Sequence, residues 1–285
     1  MTKTIRNILL ISIGVLCAVL IALLLFLLLQ RPQKTAQTPT DTASQTTQTS
    51  VPETTVAPTT QPTEPVFVPL DFAYEGDYLT CTSAPCVRGI DVSTFQQKVD
   101  YKKVKKAGFE FVMIRLGYRG FIQGVLFEDD WAQKNYKNAK AAGLKVGGYF
   151  FSQANTPEEA KEEAEYCMQL VKDWDVQMPI VYDWEHVQDD YRTNDVDARM
   201  LTDCTKAFCD TLEQAGYDSM FYYNPEQTRK KMYLEELTDY GFWLASYDDE
   251  MKYEYNIDMW QYTNKGKVPG ISGNVDIDLY FPKDE

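Results

Sequence analysis

Histidine is almost absent from this chain of 285 residues, because His186 is its only copy. A zinc site built from several histidines and the H-E-x-x-H arrangement are therefore excluded. A serine–histidine–aspartate triad would have to use His186, and no G-x-S-x-G sequence accompanies it. We interpret His186 as a loop residue beside a site. Carboxylates remain the available acid–base groups, and no metal or other cofactor is expected.

Positive charge is also scarce. Residues 1–34 carry four basic and no acidic residues, so the other 24 basic and all 42 acidic residues give the remainder a net charge of −18. Such a field repels nucleic acid, and no basic patch interleaved with aromatic residues offsets it. Nucleic acid is therefore excluded as a partner.

The six cysteines form no C-x-x-C pair, so neither a zinc ribbon nor a dithiol redox motif is supported. Cys81 and Cys86 flank a four-residue stretch that a disulfide could close. The sequence does not decide whether that disulfide forms, or whether any two of Cys167, Cys204 and Cys209 are paired.

The chain has one long apolar run, Ile8–Leu29, with 22 uncharged residues. As a helix it would measure about 33 Å, enough to cross a bilayer. It is long for the apolar core of a signal peptide, and no clear A-x-A cleavage site follows it. We interpret it as an uncleaved signal anchor that attaches the protein to the membrane, with residues 1–7 in the cytoplasm.

Residues 30–68 consist largely of Thr, Gln, Pro, Ser and Ala. A stretch of this composition buries too little apolar surface to offset the cost of ordering, which predicts a disordered stalk. A Thr/Pro stalk after an anchor is typical of an extracytoplasmic domain on a tether; a cytoplasmic linker is the alternative. We expect a single-pass protein of the cell membrane, with a lead-in segment at 69–85 and a folded domain at 86–285 on the extracytoplasmic side.

Strands alternate with helices after residue 86. Ala-Gly pairs at 107–108, 142–143 and 215–216 each end a helix before a strand, because glycine tolerates the left-handed conformation. Repeated β-α units predict a parallel sheet. Eight strands in about 200 residues favour a closed α/β barrel, and the last three have no clear helix between them. The strands are predicted at 87–93, 109–117, 144–153, 179–185, 219–224, 242–247, 258–262 and 275–281.

The most informative stretch is PIVYDWEH at 179–186, a buried strand ending in Asp183 and Glu185. Residues i and i+2 of a strand point to one face, with Cα atoms about 6.5 Å apart. Two neighbouring carboxylates raise the pKa of one of them, which suits acid chemistry. The alternative is a pair of acids in a solvated loop. The buried strand and the aromatic rings of Tyr182 and Trp184 favour a site.

Catalytic groups of such barrels lie at the carboxyl ends of the strands. Asp91 ends the first predicted strand and Asp276 lies on the eighth, so we expect both near Asp183 and Glu185. A sugar-binding groove needs aromatic faces beside carboxylates, although aromatic residues at strand ends more often belong to the core. The remaining candidate binding residues are Tyr149, Tyr222, Trp243, Tyr247, Trp260 and Arg115.

Seven segments together resemble the glycoside hydrolase family 25 lysozymes, the Chalaropsis-type N-acetylmuramidases. They are GIDVS at 89–93, VMIRLGY at 112–118, GGYFFSQ at 147–153, VYDWE at 181–185, FWLASY at 242–247, MWQYT at 259–263 and NVDID at 274–278. The resemblance covers about residues 86–285 and implies an irregular (β/α)5(β)3 barrel of the TIM type. It also implies peptidoglycan as substrate, cut at the β-1,4 bond between N-acetylmuramic acid and N-acetylglucosamine.

By this resemblance, Glu185 is the general acid/base, and Asp183 orients the acetamido group of the substrate or stabilises charge at the anomeric carbon. Asp91 and Asp276 complete an acidic floor. We favour a substrate-assisted reaction, one of the known variants of glycoside hydrolysis, since Asp183 lies two residues before the acid. A covalent intermediate and direct inversion remain alternatives, because side chains at positions i and i+2 can give the shorter carboxyl separation of the first or the longer one of the second.

Two positions depart from the family pattern: Phe150 stands where many members have His, and Asp278 where many have Asn. The first is expected to alter a substrate contact. A chitinase-like barrel would need Asp at positions 178 and 181, which are Met178 and Val181. The alternative from another class is a catalytically weak or inactive wall-binding module, which would typically have lost an acid.

Overall fold

The computed structural model describes residues 69–187, 191–225, 232–247 and 255–283. The predicted cytoplasmic end (1–7), membrane anchor (8–29) and stalk (30–68) lie outside these ranges. Among the residues that are described, no helix is both long and apolar enough to cross a bilayer.

The described chain begins with the strands β1 (Phe72–Glu75), β2 (Tyr78–Cys81) and β3 (Val87–Val92). There follow α1 (Tyr101–Lys106), β4 (Phe111–Arg119), β5 (Leu126–Glu128), α2 (Ala132–Ala141), β6 (Lys145–Ser152), α3 (Pro157–Val171) and β7 (Ile180–Trp184). The last part contains α4 (Ala198–Gln214), β8 (Ser219–Tyr223), a 3-10 turn (Leu234–Glu236), β9 (Gly241–Ala245), β10 (Met259–Gly266) and β11 (Val275–Tyr280).

Eight strands close into a barrel in the order β3-β4-β6-β7-β8-β9-β10-β11 and back to β3. Neighbours from β3 through β10 pair in parallel. All eight predicted strands are present, so the α/β barrel is confirmed. Strand β5, which the sequence did not predict, is a short addition to the edge of β4.

The last strand runs against the others. β11 pairs antiparallel with both β10 and β3, because a short turn rather than a helix connects it to β10. Asp276 therefore lies near the amino end of β11, opposite Asp91. The expectation that Asp276 sits at the carboxyl end of a strand was wrong, yet the reversal brings it to the same rim.

The helix ends follow their local sequence. Thr156 accepts a hydrogen bond from the amide of Glu159, and the carboxylate of Glu159 accepts one from the amide of Asn155, as in a capping box. The glycines that follow α1, α2 and α4 all have positive φ, namely Gly108 (92°), Gly143 (78°) and Gly216 (85°). The predicted stop signals are therefore confirmed.

Strand alternation divides the core into two layers. Residues on the outer face of the barrel, such as Val112 and Ile180, pack against the helices. On the inner face, Phe111, Met113 and Met259 fill the end of the barrel opposite the site. Because apolar side chains close that end, polar side chains can meet water only at the rim formed by the carboxyl ends of the parallel strands.

The lead-in segment contains a β-hairpin, β1–β2, which was not predicted. The ring of Phe72 packs edge-on against Trp260 on the outside of the barrel, with centroids 4.8 Å apart. Cys81 and Cys86 are free thiols, as are Cys167, Cys204 and Cys209. The amide of Cys81 donates to Sγ of Cys86 over 3.1 Å.

Candidate active site

A cleft of about 320 Å³ opens at the rim of the barrel. Nine of the ten predicted site residues line it, namely Asp91, Arg115, Tyr149, Asp183, Glu185, Tyr222, Trp243, Tyr247 and Asp276. They come from seven barrel strands and the segments that follow them. The predicted convergence is therefore present.

Strand β7 delivers the two acids that the sequence singled out. Alternation along the strand turns Tyr182 and Trp184 outward into the core and Asp183 and Glu185 toward the cleft. Asp183 is only 6% exposed. Burial, and then the charge of Glu185, hold its pKa well above the ordinary value, while the positive charge of Arg115 opposes that shift.

Glu185 keeps its proton at an unusually high pH. Burial is the main cause that raises its pKa to about 7, and the negative charge of Asp276 adds to it. A hydrogen bond with Tyr222 acts in the opposite direction. A carboxyl group with this pKa is protonated in a useful fraction of molecules near neutrality, as a general acid must be.

Two aspartates from neighbouring strands form the opposite wall, and a third lies beneath them. Asp91 and Asp276 face each other across the β3–β11 pair, and Asp278 lies two residues further along β11. Burial raises the pKa of Asp276 to about 6. Burial and the neighbouring acids raise the pKa values of Asp91 and Asp278 well above the ordinary range.

Asp278 lies beneath the cleft and has no exposed surface. The indole Nε1 of Trp243 donates to its Oδ1 over 3.0 Å, and its Oδ2 has no hydrogen-bond partner in the part of the chain that the structure describes. This departure from the family pattern therefore adds a buried acid under the site, where it contacts a site residue from below.

Gln261 is a site residue that the sequence analysis missed. Its amide Nε2 donates to Asp91 over 2.8 Å, and its Oε1 accepts from the hydroxyls of Tyr222 (3.1 Å) and Tyr247 (2.7 Å). One side chain thus links three predicted residues. Gln261 lies inside the MWQYT segment but carries no titratable group, so a search for acids and aromatic rings passed over it.

Arg115 is fixed in the wall of the cleft by Asp129, which is buried. Its guanidinium meets the Asp129 carboxylate at 2.7 Å, and Asp129 also accepts from the amides of Thr94 and Trp131. The guanidinium lies over the ring of Phe95, 5.1 Å from its centre. Phe95, another missed residue, is 79% exposed in the cleft.

The predicted aromatic residues separate by depth. Trp243 and Tyr222 are nearly buried and pack edge-on with centroids 5.1 Å apart, so they form the floor. Tyr247 is 39% exposed and, with Phe95, offers an accessible ring face. The accessible ring faces of the cleft therefore belong to Tyr247 and Phe95 rather than to Trp243.

Two expectations fail because of strand alternation. Trp260 is fully buried on the outer face of β10, where its Nε1 donates to the carbonyl of Ser246 over 2.9 Å. The prediction that Trp260 binds substrate is wrong. Phe150 is also fully buried and packs against Tyr166 of α3. The Phe150 departure therefore does not alter a substrate contact.

The backbone of Glu185 is held by Gln153, which sequence analysis also overlooked. The buried amide Nε2 of Gln153 donates to the carbonyl of Glu185 over 2.8 Å, and its Oε1 accepts from Thr193. The carbonyl of Gln153 accepts from the guanidinium of Arg192 over 2.9 Å. Gln153 thus joins the catalytic strand end to the segment that leads into α4.

The described residues contain no group of three or more His, Cys, Asp or Glu side chains placed to hold a metal ion.

The family model for glycosyl hydrolases family 25 matches residues 90–271. The chain belongs to this family. The match runs from β3 to the turn before β11, and includes Asp91, Asp183, Glu185 and Gln261. The family 25 assignment therefore rests on the strands that build the cleft other than β11, which lies beyond the match.

Similar proteins agree with this family. An autolytic lysozyme of Clostridium acetobutylicum is 29% identical over 202 residues, which are 68% of this chain and 56% of that protein. The modular autolysin LytC of Streptococcus pneumoniae is 25% identical with a TM-score of 0.60, over 69% of this chain and 47% of that one. This chain therefore spans about half the length of these two relatives.

A family 25 glycosyl hydrolase from Bacillus anthracis has the same fold, with a TM-score of 0.57 and 22% identity over 70% of this chain and 90% of that one. At this identity the similarity concerns the fold alone.

The high pKa of Glu185 predicts how stability depends on pH. Since its pKa is 4.5 in the unfolded chain and about 7 when folded, the folded state binds this proton more tightly. Its contribution to stability is complete below about pH 4.5 and is lost as the pH rises through 7. Glu185→Gln should therefore gain up to about 3 kcal/mol over the wild type at pH 8, at 1.36 kcal/mol per pKa unit.

Urea unfolding at pH 4.5 and pH 8 measures this difference, with the exposed Glu235→Gln as the matched control. An equal effect of Glu185→Gln at both pH values would show that Glu185 titrates as an ordinary carboxylate.

Proposed function

We propose that this chain is a peptidoglycan hydrolase, an N-acetylmuramidase that cleaves the β-1,4 bond between N-acetylmuramic acid and N-acetylglucosamine. The observation that carries the proposal is the pairing of Glu185, protonated near neutrality, with the buried Asp183 in the cleft of a family 25 barrel. The name of the Clostridium relative, an autolytic lysozyme, supports it, as does a LytC structure with a synthetic peptidoglycan ligand.

In the first step, Glu185 gives its proton to the glycosidic oxygen as the bond to the anomeric carbon breaks. The acetamide oxygen of the same sugar attacks that carbon, which forms a cyclic oxazolinium and releases the leaving saccharide with its new hydroxyl. In the second step, Glu185 takes a proton from water while the water oxygen attacks the anomeric carbon. The ring opens and the acetamide is restored.

Asp183 serves this route as an acceptor for the acetamide N–H. Its Oδ1 is buried and has no hydrogen-bond partner among the described residues, and buried acceptors are almost always satisfied. An N–H from the substrate would satisfy it and turn the acetamide oxygen toward the anomeric carbon. When Asp183 is ionised, its negative charge would also stabilise the cationic intermediate.

Analysis of the new reducing ends in digested peptidoglycan tests the proposal. A muramidase leaves N-acetylmuramic acid at each new reducing end. N-Acetylglucosamine at the new reducing ends would show that the protein cuts the other β-1,4 bond. Glycan strands that bind the protein but stay intact would show that it is a wall-binding module. Either result would contradict the proposed reaction.

Substitution of the two acids separates their roles. Glu185→Gln removes the transferable proton, so turnover of peptidoglycan should fall at least about 10²-fold, the usual scale of general acid–base catalysis. Asp183→Asn should also lose turnover heavily, through lost orientation and charge. With an activated phenolic leaving group, which needs little acid assistance, Glu185→Gln should recover much of its first-step rate.

Asp183→Asn should not recover with that substrate. The reversed pattern would make Asp183 the acid, and near-normal turnover in both variants would contradict the enzymatic function itself. Binding to insoluble wall serves as the folding control, because the accessible rings of Tyr247 and Phe95 are unchanged.

Gln153 is expected to act as a positioning residue. Gln153→Leu keeps the size but removes the donor to the Glu185 carbonyl, so kcat should fall about tenfold at an unchanged KM. The alkaline limb of the pH–rate profile should also move, since displacement of Glu185 alters the burial that raises its pKa. A uniform loss of folded protein, with normal kcat and pH profile per folded molecule, would indicate a purely structural role.

We also propose that the enzyme acts outside the cell while anchored by Ile8–Leu29, with residues 1–7 in the cytoplasm and 30–68 as the tether. The uncharged run followed by a Thr/Pro stretch supports this topology. External protease on intact cells should release a soluble fragment that contains the barrel. If the barrel stays protected from the protease until the cells are lysed, the orientation is the opposite of the proposed one.

A further inference from the structure

A second depression, of about 420 Å³, lies beside the cleft, and the side chain of Tyr247 lines both. We call it the hairpin groove, because it is bounded by the β1–β2 hairpin and by the ends of β10 and β11. The hairpin precedes residue 90, where the family match begins. This groove is therefore built in part by a segment outside the matched family region.

The hairpin is fastened to the barrel, so the groove is formed before any ligand arrives. The hydroxyl of Tyr78 donates to the carbonyl of Lys267 over 3.0 Å. The amide of Leu79 donates to the hydroxyl of Tyr262 over 3.4 Å. Together with the packing of Phe72 on Trp260, these contacts fix the position of one wall relative to the other.

The charge of the groove differs from that of the chain. Lys265 and Lys267 line it and are exposed, and neither pairs with an acid among the described residues. Asp77 is the acid in the lining, so the groove carries a net positive charge on a chain of net charge −14. Tyr74, 65% exposed, adds an accessible aromatic face. This combination favours an anionic ligand with some apolar surface.

We propose that the hairpin groove binds the acidic peptide that peptidoglycan carries on its muramic acid. This inference rests on the proposed function, since it places the saccharide in the cleft and the attached peptide beyond Tyr247. The peptide is linked through the lactyl ether of the sugar and bears free carboxylates. Those carboxylates pair with the ammonium groups of Lys265 and Lys267. The groove thereby selects glycan strands that still carry their peptides.

The test compares two soluble substrates of equal glycan length, one with its peptides and one from which an amidase has removed them. Lys265→Gln/Lys267→Gln should raise KM for the peptide-bearing chains about three- to tenfold, the effect of losing two exposed ion pairs. It should leave kcat unchanged, and KM for the peptide-free chains should not move. Lys102→Gln/Lys106→Gln removes the same charge from exposed positions of α1 and should change neither value.

An equal rise in KM on both substrates, or the same effect from the α1 control, would contradict binding of the peptide in the hairpin groove. Either result would indicate a general electrostatic attraction between protein and substrate. Calorimetry with the Glu185→Gln variant decides the matter independently of turnover. The Glu185→Gln variant should bind peptide-bearing chains more tightly than peptide-free chains, and equal affinities would contradict the proposal. Failure of the wild type to cut either substrate would instead contradict the proposed function.

Discussion

The organising constraint of this protein is the confinement of five described carboxyl groups, Asp91, Asp183, Glu185, Asp276 and Asp278, at one end of a barrel. Buried like charges raise one another's pKa values, so the group cannot be fully ionised near neutrality. Gln261 donates a hydrogen bond to Asp91 and Trp243 donates one to Asp278, and Arg115 supplies a positive charge. The protein gives up stability at neutral pH and in return keeps a proton available on Glu185.

Barrel architecture makes this confinement feasible. Apolar side chains fill the opposite end of the barrel, and strand alternation sends every second residue to the interior, so acids two positions apart reach one cleft. Because β11 runs antiparallel to its neighbours, its amino end lies at this rim and contributes Asp276 and Asp278 to the group of acids. Gln153 then fixes the backbone of Glu185 at the strand end, where regular ladder hydrogen bonds cease.

Residues at the rim also connect the cleft with the hairpin groove. Tyr247 belongs to both surfaces and donates to Gln261, which in turn holds Asp91. Contacts made with Tyr247 in the groove therefore lie two hydrogen bonds from Asp91 in the cleft. In the proposed function, saccharide and peptide parts of one substrate occupy the two surfaces together.

The sequence by itself determined the strand order, the helix stops at Gly108, Gly143 and Gly216, and the acids of the site, because these depend on local periodicity and short turns. It did not determine that Trp260 faces outward and Trp243 inward, since both are aromatic residues in apolar strands and only barrel closure assigns the faces. Nor did it identify Gln261 and Gln153, whose amides act through partners up to 170 positions away. The reversed β11 and the groove beside it were likewise decided by tertiary pairing, which local sequence patterns do not encode.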